Sequence, residues 1–491
     1  VDASAEHLID HLENPLGRGH VPDDAVTGAA GGAACGDLIR VSIALDPQSA
    51  DGRICDAGFD ASGCGATVAA GSATVSLVRG ATLLDAARVG AGRISEELGG
   101  LSAAKRHAAE LAADALHRAL GGAARSRANL CMADGRTLVA MSGGVDSAVA
   151  ALLVSEAGEE AVAVTLELWS DVENDGELSC CSAQAVRGAR ELAHELGMPH
   201  LSIDLRAEFR AGVVDGWLAD HASGLTPNPC VRCNGAVRLD AMLELADRLG
   251  SEALATGHYA RVVEVGPSGE SSAPLLRVAA DERKDQSYVL SALAPSSLAR
   301  LRFPLGGLHK RQARELAERA GLAVASKRDS QDLCFLAGTR HADFLERHGG
   351  LGRRSGPIVD LEGDVLGQHT GAHAYTVGQR HGLGLSAPEP LFVLATDAHS
   401  NTVTVGPRQA LLTCELRVRD VTLHRPGVVV DGVRVRAHGR TFACRLAGEL
   451  DAGPHALVAV ELEQALERTA PGQIACMYAG ELVVGYGTIA A

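Results

Sequence analysis

Three groups of residues in this 491-residue chain carry side chains and spacings suited to chemistry. The first is Cys230-Val231-Arg232-Cys233. C-x-x-C presents two thiols on one side of a turn, and Pro227 and Pro229 stiffen its approach. By itself this pair is half of a zinc site, a redox couple or part of a cluster site. No second C-x-x-C completes a zinc knuckle, which lowers the zinc reading. Cys334 lies far along the chain, so only folding brings it near the pair. The second group is Ser142-Gly143-Gly144-Val145-Asp146-Ser147. A tight Gly-rich turn between strand and helix aims unpaired N–H groups and the positive end of the helix dipole at an anion. Ser142 and Ser147 add hydroxyl donors, and Asp146 suits a magnesium ion. The turn lacks the lysine of a kinase-like P-loop. Its bland alternative is a βα turn that binds nothing. The third group combines Cys35-Gly36-Asp37, Ser62-Gly63-Cys64-Gly65 and Lys105-Arg106-His107. Glycine beside cysteine lets the backbone approach an ion closely, and Cys, Asp and His are competent ligands for iron or zinc.

The elements around these residues follow from periodicity. Thr137 to Met141 is an apolar run rich in β-formers, and Ala148 to Val154 reads as a helix closed by Gly158. Ala161 to Trp169 predicts a second buried strand, Ala185 to Leu196 a helix, and His200 to Leu205 a third strand. That rhythm implies a doubly wound parallel sheet with ligands at the strand C-termini. Cys180-Cys181 falls at such a strand exit, and Ala255-Thr256-Gly257-His258-Tyr259 ends a further strand. Arg261 to Val265 and Leu275 to Ala279 read as a hairpin, Lys310 to Ala320 as a helix. Upstream, Ala5 to Leu12 reads as a helix, Asp37 to Leu45 and Arg53 to Ala61 as strands, and Leu83 to Ala87 and Ala103 to Leu120 as helices. Residues 121–136 begin Gly-Gly, lack periodicity and read as a linker. The far C-terminal part, with short strands and Gly/Pro turns, reads as an all-β module.

These elements resemble known families. SGGxDS is similar to the PP-loop of ATP pyrophosphatases, which hold the pyrophosphate of ATP while an adenylyl group moves to a substrate oxygen. SGGVDS, TPNPCVRCN, ATGHYAR, KDQSY, SQDLCF and YTVGQRHGLGL together resemble the MnmA-type tRNA-specific 2-thiouridylases across residues 137–491. HLIDHLENPLGRG and the three Cys/Asp/His patterns resemble an IscU/NifU-type iron–sulfur scaffold domain. The implied organisation is multidomain α/β. An α+β scaffold-like domain spans 1–120, a linker 121–136 and a doubly wound PP-loop domain 137–345, followed by a small central domain over 346–410 and a β-barrel over 411–491.

The resemblance implies two steps: ATP adenylates the C2 oxygen of the wobble uridine, and sulfur then displaces AMP. It places ATP, with Mg2+, against Ala140, Met141, Ser142, Gly143, Gly144, Val145, Asp146, Ser147, Leu166 and Gly257. It places tRNA against Asn228, Pro229, Cys230, His258, Lys284, Asp285, Gln286, Arg436 and Gln473, with Ala437 standing where an aromatic is usual. In the persulfide version Cys334 carries the terminal sulfur and Cys233 later closes a disulfide with it; Arg232 or Lys327 then lowers the thiol pKa. In the cluster version Cys230, Cys233 and Cys334 hold three irons of an iron–sulfur cluster, and the third thiol at Cys230 favours this version modestly. In the scaffold-like part the family's ligands fall on Cys35, Asp37 and Cys64, with His107 beside a third position that is Ala108. Three readings follow: a degenerate scaffold that docks a sulfur donor, a site using His107, or a structural relic.

Net charge of −16 argues against a broadly basic nucleic-acid surface and confines any tRNA contact to a local patch. The absence of an 18-residue apolar run or a signal-like start predicts no membrane and a cytoplasmic location. Twelve cysteines in a long chain of this kind point to metal or sulfur chemistry rather than a disulfide framework. A cysteine desulfurase or another sulfur donor is the implied protein partner. Two competing readings are a PP-loop amidotransferase acting on a small molecule, and an iron–sulfur carrier with an inert nucleotide domain.

Overall fold

The computed structural model describes residues 3–32, 36–171, 182–264, 273–327, 329, 333–336 and 338–490. Cys35, Cys180-Cys181 and the tip of the predicted hairpin lie outside the described residues.

The N-terminal unit is α+β. Helix α1 (Ala3–Glu13) precedes an antiparallel sheet of β1 (Val26–Gly31), β2 (Leu38–Leu45) and β3 (Ile54–Ser62), in that order. Helices α2 (Gly65–Val78), α3 (Leu83–Ala86), α4 (Ala91–Glu97) and α5 (Arg106–Ser126) complete it. Strand β1, VTGAAG, carries almost no β-former signal. Its Gly28 is required by packing, because a Cβ there would lie 2.1 Å from the Ala115 carbonyl of α5.

Five parallel strands form the next sheet: β4 (Arg136–Ala140), β5 (Glu160–Glu167), β6 (His200–Asp204), β7 (Ala253–Ala255) and β10 (Leu301–Arg302), in the order β10-β7-β4-β5-β6. Both faces are covered, as an all-parallel sheet requires. Val139 and Met141 pack with α6 (Val145–Glu156), α7 (Ala183–Glu195) and α13 (Lys310–Arg319), whereas Leu138 and Ala140 point into the core shared with α11 (Leu239–Arg248). Between β6 and α11 the chain winds through α8 (Arg206–Phe209), a π-turn at Arg210–Val214, α9 (Asp215–Ala222), α10 (Pro229–Arg232) and a second π-turn at Cys233–Arg238. The short helix α12 (Pro295–Leu298) leads into β10.

The N-terminal unit is docked on this sheet. Leu201 and Ile203 of β6 belong to the same buried cluster as α5. Helix α5 runs through Gly121-Gly122, where the sequence predicts a linker, to Ser126. The glycine marks a close approach, since a Cβ at Gly121 would fall 1.9 Å from the Ser202 carbonyl.

The predicted hairpin forms as β8 (Arg261–Glu264) and β9 (Pro274–Arg277), and β9 pairs with the last strand of the chain, Arg277 opposite Leu482. After α14 (His341–Gly349), a small sheet of β11 (Gly356–Val359), β12 (Val365–His369), β13 (Phe392–Asp397) and β14 (Thr402–Gly406) closes over Ile358, Val393, Val403 and Val405. Six antiparallel strands then close a barrel: β15 (Leu412–Leu423), β16 (Gly432–Arg434), β17 (Phe442–Leu446), β18 (Gly453–Glu467), β19 (Ile474–Ala479) and β20 (Leu482–Ile489), with β20 pairing back to β15. Of the three barrel cysteines, Cys444 and Cys476 are buried while Cys414 is exposed. Among the described residues no helix is long and apolar enough to cross a membrane.

Candidate active site

The Gly-rich turn sits at the C-terminal end of β4, the middle strand. Gly143 adopts φ +67°, which glycine tolerates without penalty. Ser147 ties the turn together: its hydroxyl donates to the Gly144 carbonyl (3.0 Å) and accepts from Ser142 N–H (3.1 Å). Val145 opens α6, so the helix N-terminus faces the turn. Two neighbouring strands close the mouth. Leu166 lies near the C-terminal end of β5, beyond Val164, which pairs with Ala140, and Gly257 follows β7 so tightly that a Cβ would meet Ser147 N at 2.6 Å. The predicted ATP-contacting residues are therefore brought together at one strand-exit crevice, where ligands of open α/β sheets bind.

Asp146 is occupied by protein partners. Lys310 Nζ lies 2.8 Å from both of its carboxylate oxygens, and the Tyr259 hydroxyl donates to it at 2.9 Å. Burial, reinforced by this carboxylate, pushes the Tyr259 phenol pKa upward. Lys310 also pairs with Asp329 (2.8 Å), as do Lys284 (2.6 Å) and Arg314 (2.8 Å). These cations hold the Asp329 carboxyl down at about 2 despite its partial burial. Among the described residues no three His, Cys, Asp or Glu side chains are gathered to hold a metal ion. A carboxylate already gripped by an ammonium does not make a magnesium cage, so Asp146 does not fit the ion-holding part.

Asn228 caps α10, its side-chain oxygen accepting from Cys230 N–H at 3.1 Å. Pro229 sits in the first turn, where its missing N–H costs nothing. Burial raises the Cys230 thiol pKa, opposed by Arg238. Cys233 is buried, and Cys334 is partly buried against the same core. Phe335, next to Cys334, packs edge-on to Trp217 and tilted to Phe209. Both thiol-bearing segments thus rest on residues 209–217. Cys230, Cys233 and Cys334 are all described and do not form a preassembled three-thiolate set. The cluster expectation does not fit this geometry, because iron needs all three thiolates directed at one point.

The barrel grips the C-x-x-C segment from the other side. Gln473 Nε2 donates to the Thr226 carbonyl (2.6 Å), and Thr226 N–H donates to Pro471 (2.8 Å). Tyr288 donates to the Ile474 carbonyl at 2.9 Å. Of the other predicted tRNA contacts, His258 is bonded to Thr256 (2.7 Å), and burial, with Arg238 nearby, lowers its pKa to about 3. Gln286 accepts from Tyr259 N–H, Lys284 is half exposed, and Arg436 is exposed. Asp285 is buried, accepting from Ala279 N–H (3.0 Å), Ser287 Oγ (2.7 Å) and Arg434 (2.7 Å). Arg232 lies beside Asp220, and Lys327 donates to the Gly143 carbonyl. Arg238, not either of these, is the cation acting on Cys230. No motif marks it.

In the N-terminal unit Cys64 caps α2 and donates its backbone N–H to Asp37 (2.9 Å), its sulfur lying 3.8 Å from the same carboxylate. The start of α5 lies at this end of the sheet. There Ala108 is buried, and His107 lies 3.7 Å from Glu110. The described part of this set offers one thiol and one carboxylate, with an apolar residue at the third position.

A parallel sheet with a phosphate-type turn at its central strand, joined to a scaffold-like α+β unit and a closed barrel, defines a multidomain nucleotide-using α/β protein. Family models match along the chain: a NifU-like N terminal domain over 3–127, a tRNA methyl transferase HUP domain over 135–338, a tRNA methyl transferase PRC-barrel domain over 342–407 and an aminomethyltransferase beta-barrel domain over 426–489. The bifunctional protein NifU/MnmA of Rubrobacter xylanophilus is 42% identical over 496 residues, covering 98% of each chain. The tRNA-specific 2-thiouridylase MnmA of Chloroflexus aurantiacus is 41% identical over 358 residues, 72% of this chain and 98% of that one. Its counterpart from Pelotomaculum thermopropionicum is 39% identical over 357 residues, 72% of this chain and 97% of that one. The chain belongs to the MnmA family, in the form fused to a NifU-like unit.

Proposed function

We propose that this protein is a tRNA-uridine 2-sulfurtransferase that uses ATP to thiolate the wobble uridine. The carrying observation is the barrel's grip on the C-x-x-C segment, through Gln473 and Pro471 on Thr226, within one core shared with the nucleotide crevice. An inert carrier domain has no need to hold a thiol pair between an ATP-type crevice and a barrel. ATP gives its adenylyl group to the uridine C2 oxygen and pyrophosphate leaves; magnesium arrives with the nucleotide as part of that substrate.

The persulfide route is supported by the placement of two thiols, Cys233 and Cys334, against one core. The terminal sulfur of a Cys334 persulfide attacks C2, and AMP leaves with the former C2 oxygen. The Cys233 thiolate then attacks the Cys334 sulfur, releasing 2-thiouridine and leaving a Cys233–Cys334 disulfide that an external thiol reduces. Persulfide sulfur comes from a donor of the cysteine desulfurase class. Such thiol chemistry requires a reducing compartment, which supports a cytoplasmic location.

Unmodified tRNA is incubated anaerobically with ATP, magnesium and either sulfide or a desulfurase with cysteine, using metal-free and cluster-reconstituted protein. Nucleoside mass spectrometry is expected to find thiouridine in the metal-free desulfurase arm. Cys334→Ser is expected to abolish it while tRNA-dependent pyrophosphate release continues. Thiouridine only after reconstitution overturns the persulfide route, and none in any arm overturns the enzyme assignment.

A further inference from the structure

The SGGVDS turn contains no lysine, yet the fold delivers one to it from far along the chain. Lys327 Nζ donates to the Gly143 carbonyl at 2.9 Å, across the turn that separates β4 from α6. Its backbone is anchored. The Arg314 guanidinium on α13 donates to the Ala325 carbonyl (2.8 Å) and the Lys327 carbonyl (3.2 Å), and binds Asp329 (2.8 Å). Helix α13 is itself pinned to the turn by the Lys310–Asp146 ion pair. The neighbouring cations are committed: Lys284, Lys310 and Arg314 all meet Asp329. Among the described residues, Lys327 is the lysine at this turn that bonds a neutral carbonyl, where Lys284 and Lys310 meet carboxylates. Among the described residues one donor of three is used there, so the ammonium keeps donors for an anion.

We propose that Lys327 is the cation of the nucleotide site, binding the β- and γ-phosphates of ATP above Gly143 and neutralising the pyrophosphate as it leaves. The inference rests on the ATP-dependent reading above. A helix N-terminus and glycine N–H groups supply only partial charges, whereas a charge-assisted hydrogen bond from an ammonium is roughly twice as strong as a neutral one. Asp146 does not contact the phosphates directly; with Lys310 it fixes α13 and so aims Lys327.

Binding of ATP, AMP and inorganic pyrophosphate, each with magnesium, to the full chain is measured by titration calorimetry, alongside tRNA binding by filter retention. Lys327→Met is expected to weaken ATP and pyrophosphate about tenfold or more and to leave AMP within about twofold. Lys327→Arg is expected to recover part of the loss. The exposed Arg311→Met on α13 is expected to match wild type. Equal ATP affinity in Lys327→Met and wild type overturns the inference. So does an equal loss for ATP and AMP, which marks a structural role, or a loss confined to tRNA, which marks a tRNA-phosphate contact. If wild type binds no ATP, the nucleotide reading itself falls, an outcome distinct from a variant that behaves as wild type.

Discussion

Asp285 shows how a motif residue and its job separate. Its position in KDQSY suggests a contact to tRNA, but its carboxylate lies inside the protein, bonded to two backbone N–H groups, Ser287 and Arg434. Arg434 in turn stacks on Tyr478, 4.8 Å from the ring centre. Asp285→Ala leaves the partly buried Arg434 guanidinium without its carboxylate, a change expected to cost about 2–4 kcal/mol, below the full cost of breaking a wholly buried pair. Lys284→Ala, next door but half exposed, is expected to cost no more than about 1 kcal/mol. Urea titration of both variants separates these values, and a stable Asp285→Ala protein with lost tRNA affinity would return the residue to the interface. At this scale the motif positions were legible because each is a local string. The partners that set their chemistry were not: Tyr259 and Lys310 on Asp146 and Thr226 on Gln473 come from distant sequence, and Arg238, although close to Cys230 in the chain, belongs to no motif. For Asp146 those partners form an ion pair, and for Cys230 burial raises the thiol pKa while Arg238 opposes it.

Helix α5 carries the corresponding lesson for elements. Gly121-Gly122 reads as a break, because glycine in an exposed helix is worth about 1 kcal/mol less than alanine. The helix continues regardless, since its glycine face lies against β6 and β1, where tertiary packing outweighs propensity. Strand β1 was illegible for the same reason, its small residues being selected by the helix above them. The apolar strands of the parallel sheet were legible because burial on both faces writes a continuous run. A matched pair tests this account. Gly188 lies mid-helix in α7, and a Cβ there would meet nothing within 4 Å, so Gly188→Ala is expected to stabilise by about 1 kcal/mol. Gly121→Ala is expected to have the opposite sign, destabilising by about 1–3 kcal/mol as Ser202 is displaced. Thermal melts of the two variants settle the sign, and stabilisation by both would mean that α5 does not seat on β6.

At the scale of the whole molecule, the junction between the scaffold-like unit and the parallel sheet is lined by histidines. His117 of α5 has its ring nitrogens 2.9 Å from the His200 carbonyl and 3.0 Å from that of Val89. His194 bonds Ala87 at 3.0 Å, and the His200 ring bonds Thr165 at 2.9 Å. Two carbonyls around His117 would suit an imidazolium. Complete burial beside Arg190, His194 and His200 outweighs them and holds its pKa well below the ordinary value. Burial likewise lowers His200 and His194, with Arg190 adding to both. Charged neighbours at the same junction include Asp114, which binds Arg187 and Arg190, and Arg88 on the Gly197 carbonyl. Because the folded state keeps these rings neutral, their contribution is fully present above the unfolded histidine pKa of about 6.5 and is lost as pH falls below it. Each such histidine steepens the decline by up to about 1.4 kcal/mol per pH unit. Carboxylates contribute little until lower pH, so the interval from about 6.5 to 5 isolates the histidines. Stability of the full chain is therefore expected to drop across that interval, with proteolysis between residues 127 and 136 appearing before global unfolding as the N-terminal unit lifts from β6. His117→Gln with His200→Gln is expected to flatten the slope. A melting temperature constant between pH 6.5 and 5, or cleavage no earlier than global unfolding, would mean that the two units part for reasons other than protonation of their shared face.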